Sequence, residues 1–514
     1  MSKTIIIIGA GLAGLSAALQ AAENGCNVKL VSSLPSERAQ SVMAEGGINA
    51  ALNTKDENDS PEEHFTDTIK AACGLADPNA VWGMTQAAPE LVHWLLKLGV
   101  KFNMSGYDDV DLRNFGGQKK KRTAFAQSDT GKQIMTAMID AVRRKEASGV
   151  VERFSHHSFL TLRLCGNICC GCVIRDEYSQ ETVELPGDAV IVATGGMHGL
   201  FGNTTGSLSN TGEVTAELFR LGVPLANGEM IQYHPTTVKC GGKRMLISEA
   251  ARGEGGRLFA MKDGKQWYFM EEKYPELGNL MPRDITAREI WKVSHESEVF
   301  LDMTEISEEI ISNKLSGLAD DCMTYLHKDI RKEPVSVLPG IHYFMGGILV
   351  DEQHRTPIQN LYAAGECCAQ YHGANRLGGN SLLGALYGGR VAAKSACEQA
   401  DVVDLSCATQ IDFPPASQIS EIKQLNKVMQ ETMGVVRNEN TLLNGIQTVQ
   451  ALTGNLPLLG MAVLKSALAR KESRGAHWRE DYPKSNDDDY LKTTVAIFDG
   501  KQIQISFVPV PERR

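Results

Sequence analysis

The chain has 514 residues, of which 42% are hydrophobic and 22% charged, and its formal net charge is −10. This length exceeds one ordinary hydrophobic core, so two or three domains are expected. The acidic balance argues against a general nucleic-acid binder, and the 12 cysteines are too sparse for a disulfide scaffold, which favours reduced thiols in a cytoplasmic protein.

The first predicted element is an apolar strand from Thr4 to Ile8, which leads into Gly9, Gly11 and Gly14 with the spacing G-x-G-x-x-G. Between a strand and a helix, such glycines allow a tight turn, a close backbone approach to a pyrophosphate and close helix packing. The helix that follows offers free N–H groups to phosphates at its N-terminus. The sequence therefore predicts dinucleotide binding here.

The same run, residues 5–22, is uncharged and mostly apolar. We expect it to be buried rather than to span a membrane, because the glycines interrupt it where a strand-to-helix turn belongs. No other segment approaches the ~20 uninterrupted apolar residues of a spanning helix. Any membrane attachment is therefore expected to come through a partner.

A second strand, residues 27–32, completes a βαβ start and ends at Ser32. Many dinucleotide folds carry an acidic residue at this position, which holds the adenosine ribose, so the serine departs from the general pattern. Apolar spacing typical of helices follows at 81–100 and 132–144.

From 151 to 192 short apolar runs alternate with turn residues and end in a strand followed by glycines. Residues 229–344 carry most of the candidate catalytic residues and indicate an inserted domain. A strand ends at 361–366, and residues 381–399 form a helix rich in small residues. From about 411 the pattern becomes helical and polar, with no internal repeat.

Four cysteines form the only cluster that suggests a metal: Cys165, Cys169, Cys170 and Cys172. Their spacing, C-x3-C-C-x-C, fits neither a zinc site nor a common iron–sulfur motif. Alternation along a strand would also turn neighbouring thiols to opposite faces. We expect small buried side chains and no metal site.

Five separated segments carry side chains that could do chemistry. They supply two histidines, a hydroxyl, a carboxylate and three arginines: His234; Ser248, Glu249 and Arg252; Arg283; His342; and Arg376. A small dianion needs two carboxylate clamps, and arginine provides a planar, permanently charged, bidentate one. On residue type alone Arg283 is a third clamp. Glu249 and Arg252, three apart, share a helix face and form either a functional or a structural pair.

In order and context these segments resemble those of the succinate dehydrogenase and fumarate reductase flavoproteins, from residue 4 to about 495. The stretch 38–50 resembles the flavin-anchoring segment of that family. There the position of Gln40 is usually a histidine that carries covalently attached FAD. Glutamine has no nucleophilic ring nitrogen, so the resemblance implies FAD held without a covalent bond.

The resemblance implies an α/β fold, with a two-dinucleotide-binding-type FAD domain, an inserted α+β capping domain and a C-terminal helical domain. The expected boundaries place the FAD domain in 1–228 and 345–410, the capping domain in 229–344 and the helical domain in 411–514. Serine at position 32 is frequent in the family, whereas Glu213 replaces a commoner aspartate. The implied cofactor-binding residues are Gly9, Gly11, Gly14, Ser32, Ser41, Gly46, Gly47, Ala193, Thr194, Gly195, Glu213, Glu366, Ser381 and Leu382.

For the substrate, the resemblance implies that Arg376 and His342 bind one carboxylate of a C4 dicarboxylate, and His234 and Ser248 the other. Ser248 replaces a commoner threonine and keeps the hydrogen-bond donor. Holding both ends fixes the reacting bond in position, and the hydride chemistry belongs to the cofactor.

The resemblance also implies a proton donor, Arg283, fed through Glu249 and Arg252. An arginine acid is unexpected, because its reference pKa lies far above neutrality. It becomes plausible where other buried cations crowd it and the transition state is strongly basic.

Three functions compete: a fumarate reductase or succinate dehydrogenase flavoprotein, an L-aspartate oxidase, and an assembly subunit without turnover. Phe115 separates the first two, since aspartate oxidases have a glutamate there for the substrate ammonium, which a phenylalanine cannot pair. The complete polar set argues against the third.

We therefore expect fumarate and succinate to be interconverted, with reduction favoured because Gln40 leaves the flavin a poorer oxidant than a covalent link would. A related enoate is the alternative substrate. The expected partner is an iron–sulfur subunit in electron transport, as in anaerobic respiration, with the protein cytoplasmic or peripheral on the inner face of the cell membrane.

Overall fold

A computed structural model describes residues 2–106, 109–400, 413 and 418–514. Its strands are β1 (Thr4–Ile8), β2 (Asn27–Ser32), β3 (Ile48–Asn49), β4 (Leu112–Arg113), β5 (Thr123–Ala124), β6 (Val151–Ser155), β7 (His157–Cys165), β8 (Ile168–Asp176), β9 (Thr182–Pro186), β10 (Ala189–Val192), β11 (Leu225–Ala226), β12 (Ile231–Cys240), β13 (Lys243–Leu246), β14 (Arg257–Lys262), β15 (Lys265–Trp267), β16 (Val299–Asp302), β17 (Val335–Ser336), β18 (Leu338–Phe344), β19 (Gly347–Leu349), β20 (Leu361–Ala363), β21 (Cys368–Ala369), β22 (Lys492–Phe498) and β23 (Ile503–Pro509).

The α-helices are α1 (Leu12–Glu23), α2 (Pro61–Ala71), α3 (Pro78–Lys97), α4 (Thr130–Ala147), α5 (Glu213–Arg220), α6 (Glu249–Gly253), α7 (Phe269–Lys273), α8 (Arg283–Val293), α9 (Glu308–Lys314), α10 (Ser316–Asp321), α11 (Asn380–Gln399), α12 (Ile419–Thr432), α13 (Glu439–Val449), α14 (Asn455–Ala469) and α15 (Asp487–Tyr490). None of the helices in the described part of the chain is long and apolar enough to cross a membrane.

The central sheet is parallel throughout, with the strand order β20-β10-β1-β2-β6. Strands buried on both faces are apolar along their whole length, and the isoleucines of β1 follow this rule. Ile5 and Ile7 pack with α1, α4 and α11, whereas Ile6 and Ile8 pack against the β7–β8–β9 sheet. Ligands bind outside the carboxyl ends of such strands, which here all meet at one edge.

The predicted insertion contains two antiparallel sheets, β13-β12-β18 and β15-β14-β16-β17, together with α6 to α10. The chain enters it after β11 and returns at β19, and these two strands pair with each other. A strand pair at the base of an insertion supports boundaries near 228/229 and 344/345, which we propose as the domain limits. The expected boundary at 410/411 lies outside the described residues.

The C-terminal part is helical only at first. After α12, α13 and α14, the chain ends in the hairpin β22–β23, and β22 pairs with β11 of the FAD-domain sheet. The five-stranded sheet therefore has the order β21-β19-β11-β22-β23. The sequence did not predict these two strands, because the pairing joins segments far apart in the chain.

The cysteines around β8 differ in their bonding. Cys169, Cys170 and Cys172 are buried and free. Cys165 is half-buried and forms a disulfide, which corrects the expectation of reduced thiols for this residue. Among the described residues, no group of three or more His, Cys, Asp or Glu side chains could hold a metal ion.

Candidate active site

One cavity of about 880 Å³ extends from the β1–α1 turn to the first turn of α8. Its wall includes most of the residues that the sequence singled out: Gly9, Gly11, Ser32, Ser41, Gly46, Gly47, Phe115, Ala193, Thr194, Gly195, Glu213, His234, Ser248, Glu249, Arg283, His342, Glu366, Arg376, Ser381 and Leu382. Gly14 and Arg252 lie behind the wall. Gln40 lines the cavity as well.

The β1–α1 turn leaves no room for side chains. Gly9 has a φ of +111°, and a Cβ there would lie 2.3 Å from the carbonyl oxygen of Ala193. A Cβ on Gly14 would lie 1.8 Å from the carbonyl oxygen of Gly9. The glycines thus let the helix α1 pack directly onto the turn, and its N-terminus opens into the cavity.

Two serines line the part of the cavity next to the β1–α1 turn. The hydroxyl of Ser41 accepts a hydrogen bond from the N–H of Leu12 (3.2 Å) at the start of α1. The hydroxyl of Ser32, at the carboxyl end of β2, is buried and has no partner among the described residues. A buried unpaired hydroxyl beside a side-chain-free turn fits a ligand with polar groups, such as the adenosine half of FAD.

Two predicted cofactor residues are held by protein contacts. Glu366 accepts a hydrogen bond from the N–H of Phe344 (3.1 Å) through Oε1. The carboxyl of Glu213, the first residue of α5, has its pKa raised by burial, which the nearby Arg175 partly offsets. Both carboxyls border the cavity from the FAD-domain side.

The sequence missed part of the wall. The turn before β7, the start of β7 and the loop after β8 also line the cavity, through His156, His157, Ser158, Phe159, Glu177 and Tyr178. These positions carry no motif that would have identified them.

A chain of buried charges crosses the far end of the cavity. Arg283 donates from Nε and Nη2 to Oε2 of Glu249 (2.9 and 2.6 Å). Arg252 donates from Nη2 to Oε1 of the same carboxylate (3.2 Å). All three side chains are at most 7% exposed, so the network is desolvated. Burial alone would raise the pKa of Glu249, but the two arginines outweigh it and hold this pKa below its usual value.

Gln232, which the sequence did not single out, lies in the predicted capping domain and holds Arg283 of this ion-pair network in place. Its Oε1 accepts from Nη1 of Arg283 (3.1 Å), and its Nε2 donates to Oδ1 of Asn375 (2.9 Å) and to the carbonyl of Arg376 (2.8 Å). One amide therefore joins α8 to the loop that carries Arg376.

Arg376 is 3% exposed, and its guanidinium lies over the ring of Tyr343 at 4.3 Å from the ring centre. Its Nε has no partner among the described residues. Burial, reinforced by the charge of Arg283, lowers the pKa of Arg376 to about 9. Arg376 lines the cavity, and no carboxylate of the described residues forms an ion pair with it.

Two histidines of the cavity wall are in edge-to-face contact, with the ring centres of His234 and His342 5.1 Å apart. Nδ1 of His234 lies 3.1 Å from the carbonyl oxygen of Thr236 and 3.3 Å from its nitrogen, and Nδ1 of His342 lies 2.7 Å from the hydroxyl of Thr205. Burial, followed by the charge of Arg283, holds the pKa of both imidazoles well below the usual range. Both rings are therefore neutral at physiological pH.

Ser248 and Phe115 complete the pocket. Ser248 is the N-cap of α6, and its hydroxyl accepts from the N–H of Ala250 (3.4 Å), which leaves its own O–H free to donate. Phe115 is 2% exposed, and its ring leaves no space for side chains at Gly46 or Gly378.

Comparison with known proteins agrees with this architecture. The family "FAD binding domain" matches residues 4–382, and "Fumarate reductase flavoprotein C-term" matches residues 452–513. A succinate dehydrogenase flavoprotein subunit of Bacillus subtilis is 39% identical, over 96% of this chain and 94% of its own. The 8-methylmenaquinol:fumarate reductase flavoprotein subunit of Wolinella succinogenes is 32% identical, over 97% of this chain and 89% of its own.

Among solved structures, the FrdA chain of a mutant E. coli quinol fumarate reductase superposes with a TM-score of 0.90. It is 27% identical, and the superposition covers 99% of this chain and 97% of that one. The α/β fold with an FAD domain and a C-terminal helical part is thereby confirmed. The chain belongs to the succinate dehydrogenase and fumarate reductase flavoprotein family, as its sequence predicted.

Proposed function

We propose that the chain interconverts fumarate and succinate at a bound FAD, with reduction of fumarate favoured. One observation supports this proposal: the buried chain of Arg252, Glu249 and Arg283 reaches a cavity whose wall also carries donors that would bind two carboxylates. Addition of hydrogen across the double bond of a C4 dicarboxylate needs both elements, because two carboxylates are held and one proton is delivered to carbon.

The half of the cavity around Gly9, Ser32 and Ser41 suits FAD, since it offers a helix N-terminus, a side-chain-free turn and an unpaired hydroxyl. The remaining predicted cofactor residues line the same cavity. FAD supplies the hydride when bound. The amide of Gln40 offers no nitrogen for a stable flavin bond, so the cofactor is held without a covalent link.

Two pairs of side chains hold the dicarboxylate. His234 and Ser248 bind one carboxylate, and His342 and Arg376 bind the other. Nδ1 of His234 is held by the backbone of Thr236, 3.1 Å from its carbonyl oxygen and 3.3 Å from its nitrogen, which leaves Nε2 for the substrate carboxylate. The unpaired Nε of Arg376 gives the opposite clamp a charge-assisted donor. Holding both ends fixes the double bond in a reactive position.

Arg283 donates the proton to carbon. Its Nη1 and Nη2 each keep a second N–H beyond the bonds to Gln232 and Glu249, and its side chain lines the cavity. When Arg283 gives up a proton, the ionised Glu249 takes one from Arg252 and passes it to Arg283, and Arg252 regains its proton from solvent. The neighbouring cations favour this transfer because they oppose a further positive charge in the buried site.

L-aspartate oxidation is the alternative within the related enzymes, and Phe115 argues against it. The buried ring offers no partner to a substrate ammonium, which would be left unpaired in an apolar environment. A slim trans dicarboxylate other than fumarate is a closer alternative, since the two clamps recognise only the ends of the molecule.

We also propose that the chain works as one subunit of a complex. The Bacillus subtilis and Wolinella succinogenes relatives are both named flavoprotein subunits. An iron–sulfur subunit would exchange electrons with the flavin, and partner subunits would place the protein on the inner face of the cell membrane or leave it cytoplasmic. A flavin without the histidyl link is the poorer oxidant, which favours reduction.

Anaerobic stopped-flow spectroscopy tests the substrate. The flavin is reduced chemically, mixed with fumarate, mesaconate or a solution that generates iminoaspartate, and followed by its absorbance. We expect fumarate to reoxidise the flavin fastest. Reduced protein that is inert to fumarate, or oxidised protein that L-aspartate reduces rapidly, would overturn the proposal.

A further inference from the structure

Arg244 is a cation of the cavity wall that the proposed reaction leaves unused. It lies in β13, is half-buried, and lines the cavity. Its Nε donates to the hydroxyl of Thr237 (2.6 Å) and its Nη2 to the carbonyl of Leu338 (3.3 Å). Both acceptors are neutral, and within the described residues no carboxylate pairs with this guanidinium.

The register of the sheet places this guanidinium on the face that carries His234. Gly340 of β18 lies opposite His234 of β12, and side chains of opposed residues lie on the same face, with Cβ atoms about 4.5–5.5 Å apart. A Cβ at Gly340 would lie 2.6 Å from Nε of Arg244. The guanidinium therefore occupies the space of the missing side chain, on the face of the sheet that carries His234.

Because the whole chain is negatively charged, a positive charge at the cavity wall would help to attract an anionic substrate. A net charge of −10 repels a dianion at long range, so its approach depends on the local potential of the cavity. The charge of Arg283 deeper inside is largely compensated by Glu249. Arg244 is half-exposed and uncompensated, so it attracts an anion before the inner clamps can reach it.

We propose that Arg244 forms an outer anion subsite, which receives one carboxylate of the entering dicarboxylate and passes it to the inner site at His234. The identity of the anion rests on the proposed function. Since this contact is made before the reacting position is reached, it raises the association rate and leaves the chemical step unchanged.

The test compares Arg244→Gln with Lys239→Gln at several ionic strengths. Lys239 is the register partner of Arg244 in the same hairpin, is exposed, and lies outside the cavity wall, so its variant removes the same charge as a matched control. For Arg244→Gln at low salt we expect kcat/KM to fall about tenfold, with kcat nearly unchanged and a flatter salt dependence. Lys239→Gln should stay within about twofold, and Arg244→Lys should recover most of the loss.

Association of succinate with oxidised protein, followed by flavin absorbance, is the second measurement. It separates this proposal from the function itself, because it requires binding and no turnover. A slower association in Arg244→Gln supports the subsite even if fumarate is not reduced. An unchanged association rate, equal effects of both variants, or an equal loss in kcat and kcat/KM would overturn it.

Discussion

Glu249 shares its carboxylate between two arginines that have different environments. Oε1 faces Arg252 behind the wall, and Oε2 faces Arg283 at the cavity. For Arg283→Ala we expect turnover to fall by about 10²–10⁴-fold while oxidised protein still binds succinate, because only the proton donor is lost. Arg283→Lys should keep part of the activity, since lysine also donates a proton.

The comparison variant is Arg376→Ala, in which a clamp is removed and KM should rise as kcat falls. Steady-state kinetics and succinate titrations of both variants separate the two roles. A dissociation constant of Arg283→Ala that weakens as much as its rate would assign Arg283 to substrate binding alone.

The lowered pKa of Arg376 predicts a pH dependence of binding. The guanidinium is charged below a pKa of about 9 and loses its charge as the pH rises through this value. Affinity for a dianion is therefore complete near pH 7 and should weaken between about pH 8 and 10. Succinate titrations across this range measure the effect, and an affinity that stays flat up to pH 10 would contradict it.

Gln40 predicts that FAD leaves the polypeptide intact when the protein is denatured by acid or heat. The side chain lines the cavity, yet an amide forms no stable flavin bond. Denatured protein should be colourless after filtration, with all FAD in the filtrate. Flavin fluorescence that stays with the polypeptide band on a denaturing gel would exclude a non-covalent cofactor.

Among individual residues, the sequence identified the side chains that carry a charge or donate hydrogen bonds, because residue type alone shows that they can do so. The structure brings His234, Glu249, Arg283 and Arg376 to one cavity. Gln232 could not be found in the same way, because a buried amide owes its importance to where its partners lie. Thr205, which contacts His342, was missed for the same reason.

Among the secondary-structure elements, the β1–α1 turn allows the most specific prediction about a substitution. Gly14→Ala would place a methyl group 1.8 Å from a backbone oxygen, so the helix would have to move away from the turn. We expect a loss of stability of at least about 1–3 kcal/mol and a loss of bound FAD. Thermal unfolding and the FAD content of purified protein measure both effects.

Gly242→Ala is the matched control, because a Cβ at Gly242 would have nothing within 4 Å. It should keep wild-type stability and FAD. Equal behaviour of the two variants would show that the turn tolerates a side chain.

The elements also show which features a local sequence pattern can predict and which it cannot. The four consecutive isoleucines of β1 and the glycines after them define a buried strand and its turn locally. The pairing of β22 with β11 joins residues that are more than 260 positions apart, such as Val495 and Ala226. No local pattern encodes such a contact, so the last strands were expected as part of a helical domain.

For the whole molecule, Arg470 connects distant parts of the chain. It is fully buried and donates to Glu229 before β12 (2.7 Å), to Glu472 (2.7 Å), and to the carbonyl of Lys492 in β22 (2.7 Å). Arg470→Ala should lower the free energy of unfolding by about 3–5 kcal/mol, because it leaves the buried carboxylate of Glu229 without a cation, whereas Glu472 keeps its pair with Arg474.

Arg514→Ala is the control, since that ion pair with Glu352 has an arginine 84% exposed and should contribute less than about 1 kcal/mol. Urea unfolding of both variants measures the difference. A loss below about 1 kcal/mol in Arg470→Ala would mean that the carboxylate of Glu229 finds another partner.

The shared carboxylate of Glu249 also determines the net charge of the inner site. Arg252, Arg283 and Arg376 contribute three positive charges near neutral pH, Glu249 contributes one negative charge, and the two histidines contribute none. Among these six inner side chains, with Arg244 at the half-exposed wall left aside, the surplus is two positive charges, which a ligand with two carboxylates would cancel. A monocarboxylate would leave one charge uncompensated, and a tricarboxylate would add one of the opposite sign. Fumarate and succinate carry the same charge, so substrate and product would leave the pocket equally neutral.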